Sequence, residues 1–206
     1  MKSLKQFSLF VVICIMFTSC AKIYTSPDAY TLAHDQKIIA IIPPSVSIAA
    51  SKKVDAESMI EQQKTESINI QKEIYSWMLK RKMQGKISQE IQEIETTNAL
   101  LKKAGYPETP LTTSELCEVL KVDGIMTSNF SLSKPMSEGA AVALYLIAGA
   151  YGTTNEVTVS LSISDCSEKK LLWNYNHKFS GSMGSSSAKL VDGLMRNASK
   201  KMPYVN

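Results

Sequence analysis

The chain has only two histidines and four cysteines. His34 and His177 stand far apart, and the cysteines show none of the paired spacing that a zinc site needs. No metal site and no cofactor are expected. No G-x-S-x-G elbow is present, so the serine-rich neighbourhood of His177 does not read as a hydrolase. Residues 181–189 (GSMGSSSAK) lack the four-residue gap and the Lys-Ser/Thr step of a phosphate loop, and helix capping accounts for their serines. Asp165 and Glu168 sit together in a turn and read as solvated. Net charge is only +4 without basic clusters, which excludes a strongly basic nucleic-acid binder. Hydrophobic residues at 44% exclude a disordered chain, and no apolar run reaches the roughly 20 residues of a spanning helix.

An apolar run opens the chain. Lys2 and Lys5 precede residues 7–17 (FSLFVVICIMF), which have the length of a signal-peptide core. The segment closes on Phe17-Thr18-Ser19-Cys20-Ala21, which resembles the bacterial lipoprotein signal, with Phe17 where leucine is usual. The resemblance implies cleavage before Cys20 and lipidation of its thiol. Several acyl chains on one residue anchor firmly, where one alone binds marginally. An ordinary secretory signal ending by coincidence in Cys is the alternative. Residues 1–19 are then a signal peptide, 20–35 a lipid-anchored tether, and 36–206 a single domain. The mature charge falls to +2 once Lys2 and Lys5 leave. By the sorting rules of such signals, Ala21 in place of aspartate favours the outer membrane, facing the periplasm. That compartment permits disulfides. Cys117 and Cys166 remain available, and both a bridge and two separate thiols stay open.

Along the domain, residues 36–44 (QKIIAIIPP) read as a buried strand whose pairing ends at Pro43 and Pro44, which lack amide donors. Residues 55–84 read as a long helix with an apolar face of Ile60, Ile70, Ile74, Trp77 and Met78, closed by Gly85. Residues 87–95 fit a helix or a strand, before a helix capped at Thr96 or Thr97. Thr112 and Glu115 form a capping-box pattern. Residues 124–133 and 155–164 read as strands. The second alternates Val157, Val159, Leu161 and Ile163 against Thr158, Ser160, Ser162 and Ser164. Leu171, Trp173, Tyr175, His177 and Phe179 should share one face of the next strand. A final helix carries Leu190, Val191, Leu194, Met195, Ala198 and Met202. The order predicts an α/β or α+β domain, three-layer-like, with a mixed central sheet of about four to five strands.

Residues 37–43 (KIIAIIP), 115–126 (ELCEVLKVDGIM), and Val157, Val159, Leu161, Ile163 and Asp165 leading to 170–173 (KLLW) together carry a resemblance. They look like the domain shared by the curli-secretion lipoprotein, the LpoB-type activators of penicillin-binding proteins, and the amino-terminal domain of TolB-like proteins. The resemblance covers about 130 residues. It implies a central sheet with helices on its faces, tips 87–95 towards strand, gives Asp123 a structural turn role, and implies a non-enzymatic function.

Residues 139–152 (GAAVALYLIAGAYG) carry no charge and connect two strands. Val142, Leu144, Tyr145, Leu146 and Ile147 are the candidate partner or oligomer contact. Burial against the domain or a neighbouring subunit, an exposed docking surface, and membrane insertion are the readings weighed. Trp77 is a second candidate contact. The sequence therefore predicts a non-catalytic outer-membrane lipoprotein that binds or scaffolds an envelope protein partner. A subunit of an oligomeric export or assembly complex is the alternative, and an envelope hydrolase is the reading set aside.

Overall fold

The computed structural model describes residues 21–49, 56–133, 156–180 and 186–205. Seven strands form one mixed sheet: β1 (Lys22–Thr25), β2 (Ile38–Ile41), β3 (Ser45–Ile48), β4 (Glu90–Ile91), β5 (Gly124–Leu132), β6 (Glu156–Asp165) and β7 (Lys170–Ser180). Among the described residues five α-helices accompany them: α1 (Ala29–Asp35), α2 (Ala56–Met83), α3 (Ile94–Lys103), α4 (Thr113–Leu120) and α5 (Ser187–Ala198). The strand order is β1-β7-β6-β5-β2-β4, and β3 also pairs with β5. The α/β expectation holds, with more strands than the sequence suggested.

Period-two patterning explains the layers. Ile39 and Ile41 of β2 join the main core, while Ala40 and Ile42 join a second core on the opposite face. The main core is closed by α2 and α5 over Met126, Phe130, Val159, Leu161 and Trp173. The second is closed by α3 and α4 through Leu101, Leu116 and Leu120. On this second face β6 and β7 turn polar, where Asn174 Nδ2 donates to Ser160 Oγ and Ser162 Oγ at 3.1 and 2.8 Å.

Several expectations are corrected. Residues 22–35 are not a tether. Strand β1 pairs antiparallel with β7, and α1 buries Ala29 and Ala33 completely. Pro43 and Pro44 interrupt the ladder rather than end it. β2 and β3 both run parallel to β5, and the register slips by one residue across the break. Within 87–95 only Glu90–Ile91 is strand, and α3 already starts at Ile94 after Glu93, ahead of Thr96. Ile60 of the expected α2 face is exposed. Leu171 is 41% exposed, and Leu172 takes its inward place, because the β6–β7 register shifts between Ile163 and Ser164. A bulge adds one residue and so reverses the facing of everything beyond it.

Local chemistry sets the helix ends. Thr112 and Glu115 form the full capping box, with the Glu115 carboxylate accepting from the Thr112 amide at 2.7 Å. Ser186 caps α5, accepting from the Lys189 amide at 3.3 Å. The fully buried Glu66 of α2 accepts from Ser187 Oγ at 3.2 Å in the first turn of α5, where the helix dipole favours a carboxylate.

Candidate functional site

The amino-terminal ends of β2 and β5 meet the carboxyl end of β6 beneath α1 and α4. An open cleft of about 470 Å³ lies there, lined in part by Asp35, Gln36, Glu118, Asp123, Asp165 and Lys169. At the strand ends it is built around the carboxylates of Asp123 and Asp165 and the buried amide of Gln36.

Asp123 holds three chain segments. Its Oδ2 accepts from the amides of Lys37 and Ile38 at 2.8 and 2.9 Å, and its own amide donates to Ile38 O at 2.8 Å. Its carbonyl accepts from the Cys166 amide at 2.9 Å. The structural role expected of Asp123 is thus a clamp at the start of β2.

Asp165 corrects the expectation of a solvated turn residue, being only 3% exposed, whereas Glu168 is exposed. Its Oδ1 accepts from Ser167 Oγ and the Glu168 amide, both at 2.7 Å, and its Oδ2 accepts from Gln36 Nε2 at 2.7 Å. Burial pushes the Asp165 carboxyl up, but the Glu168 amide, Gln36 and Ser167 more than offset this and hold it below the usual carboxylate range. The Tyr204 hydroxyl donates to Gln36 Oε1, completing a buried line from Tyr204 through Gln36 to Asp165. Burial, then the Asp165 and Asp123 carboxylates, push the Tyr204 hydroxyl far above its ordinary range. Gly124 lies against this line: a Cβ there would come within 2.1 Å of Gln36 Oε1 and 2.7 Å of the Tyr204 oxygen. Glycine is needed for close approach, not for a left-handed backbone.

Cys117 and Cys166 are joined by a disulfide, Cα–Cα 5.5 Å, pinning α4 to the β6–β7 turn at the wall of the cleft. Of the other residues singled out from sequence, Trp77 is only 8% exposed in the main core, with the Arg81 guanidinium 4.7 Å from its ring centre. It packs the fold and offers no docking surface, which corrects its candidacy as a contact. His34 is exposed on α1, 3.7 Å from Asp35. His177 lies between Tyr175 and Phe179 on β7, and burial lowers its pKa. Cys20, and Val142, Leu144, Tyr145, Leu146 and Ile147, lie outside the described residues. Among the described residues no group of three or more His, Cys, Asp or Glu could hold a metal, and no helix is long and apolar enough to cross a membrane.

Gln36 and Tyr204 had no sequence signal as functional partners. Asp165 had one: extending the alternation of Val157, Val159, Leu161 and Ile163 by two residues places it inward.

No family model and no curated protein matches the chain. Among solved structures, the chain is similar to lipoprotein GNA1162 from Neisseria meningitidis, at 10% identity and TM-score 0.44, over 80% of this chain and 96% of that one. It is similar to a PelC dodecamer from Paraburkholderia phytofirmans, at 9% identity and TM-score 0.40, over 92% and 99% of the two chains. It is also similar to the LpoB C-terminal domain from Salmonella enterica, at 9% identity and TM-score 0.35, over 69% and 82%. The LpoB-type group that the sequence resembles is thus among these neighbours.

Proposed function

We propose that this is a lipid-anchored protein of the bacterial outer membrane, facing the periplasm, that binds or scaffolds an envelope protein partner without catalysis. The observation that carries the non-catalytic part is how the two cleft carboxylates at the strand ends, Asp123 and Asp165, are used. Asp123 Oδ2 and both oxygens of Asp165 accept from five fixed donors of the protein itself: the Lys37, Ile38 and Glu168 amides, Ser167 Oγ and Gln36 Nε2. A general acid or base must instead reach a substrate proton. The anchor part rests on the signal pattern ending at Cys20.

The test is affinity capture of the mature lipoprotein from solubilised envelopes, with Cys20→Ser as the control. Recovery of one stoichiometric envelope protein with the lipidated chain is the expected outcome. A Cys20→Ser chain processed and membrane-bound like the wild type would overturn the anchor. Turnover of an envelope substrate by the purified chain, lost in Asp165→Asn, would overturn the non-catalytic reading.

A further inference from the structure

We propose that strand β1 is the surface on which the domain rests against the lipid bilayer, with no linker between anchor and fold. This rests on the reading of Cys20 as the lipidated residue. Ala21 already packs against the main core, and Lys22 is in register with Asn176 of β7. Consecutive Cα atoms are about 3.8 Å apart, so an acylated Cys20 is attached directly to the sheet. The polar layer on one side of a bilayer is only about 5–8 Å thick. A strand starting two residues from the acyl chains therefore lies at headgroup depth.

The residues of β1 suit that position. All four are exposed, with Ile23 at 41% and Tyr24 at 51%. Ile23 is an apolar side chain for the acyl boundary. Tyr24 has an apolar ring and a polar tip, the combination enriched at membrane interfaces. Lys22 supplies a cation for anionic headgroups, and β1 (KIYT) has no acidic residue. Ile23 is paired with Tyr175 and Tyr24 with Asn174, so the two project from opposite faces of the strand. They would flank a sheet edge set down on the surface. β1 ends the strand order, and its outer backbone edge meets no other strand among the described residues. Hydrated headgroups can satisfy such an edge. A second copy is the other occupant an open edge invites. Four residues are too short a strand to supply the roughly 800 Å² per partner of a stable interface.

The experiment uses the full mature lipoprotein carrying Tyr24→Trp, placed in phosphatidylethanolamine–phosphatidylglycerol vesicles with or without brominated acyl chains. The natural Trp77 and Trp173 are buried, so the wild-type chain supplies the baseline. Bromolipid should reduce the added emission by about half or more. Inserting about ten Gly/Ser residues between Cys20 and Ala21, an average span of about 18 Å, should restore most of it. Intact mass reports acylation separately. An acylated protein with no added quenching, or with quenching unchanged by the insert, overturns the seating of β1 and leaves the anchor standing. Concentration-dependent cross-linking between β1 strands without quenching assigns the edge to a second copy instead. A non-acylated Cys20 overturns the anchor reading and this inference with it.

Discussion

Gln36 donates its amide to Asp165 across 129 residues of sequence, at 2.7 Å in a buried contact. Through the same side chain, Tyr204, 168 residues away in sequence, reaches the start of β2. One amide therefore joins the entry to the sheet, the end of β6 and the carboxyl-terminal segment.

Removing that amide leaves two buried partners without their bond. Each such loss costs about 1–3 kcal/mol. Gln36→Ala should lower unfolding free energy by about 2–4 kcal/mol in urea titration. Gly124→Ala should be destabilising alone, because its Cβ meets Gln36 Oε1. The two substitutions should be less than additive, since the first vacates the space the second invades. Strict additivity would argue against this packing.

The Cys117–Cys166 bridge closes a segment with a sequence separation of 49. Chain-entropy reasoning for a loop of that size gives about 4 kcal/mol. The Cys117→Ser, Cys166→Ser double variant should lose stability of that order. Alkylation of the denatured, non-reduced protein should leave both cysteines unmodified. Two labelled thiols in the oxidised protein would disprove the bridge.

Trp77→Ala should act on folding, with a loss of about 3–5 kcal/mol expected for a buried tryptophan. Partner capture at a temperature where the variant stays folded should be unaffected. Loss of capture with unchanged stability would restore Trp77 as a contact.

Acidification should weaken the fold through two of its buried groups in turn, His177 and then Asp165. His177 has a folded pKa lowered by burial, so the unfolded chain binds the proton more readily. Its contribution is fully present above about pH 6.5, the ordinary value, and is lost as pH falls through the lowered folded value. Asp165, held low by its donors, contributes above about pH 4 and loses that contribution on further acidification. His177→Phe should flatten the stability profile just below pH 6.5 and leave the lower step in place. Calorimetric melting across pH checks both.

Much of the sheet was legible because its signals are local. The alternation in residues 157–163, the β-branched run before Pro43 and the Thr112–Glu115 capping box each need only a few neighbours to be read. The misreadings share a cause. Leu171 was placed inward by strict alternation, and only a register shift against β6 turns it out. Residues 22–35 carry no period, since β1 is exposed on both faces and α1 is short, so only contact with β7 and the core orders them. Trp77 looked like a docking residue because Met78 and Leu79 extend it into an apolar cluster. Arg81 instead stacks on its ring, and the core takes the rest.

The sequence alone determined the fold class, the Thr112–Glu115 capping box, the serine cap of α5 and the inward face of β6, because periodicity and capping act over one or two turns of chain. It also supplied the signal pattern at Cys20, a linear motif read before any fold exists. The tertiary structure decided the Gln36–Asp165–Tyr204 line, the need for glycine at Gly124, the pairing of Cys117 with Cys166, and the absence of slack between Ala21 and the core. Each depends on residues distant in sequence meeting at one point, and that meeting is set by sheet order and register, which no local pattern encodes.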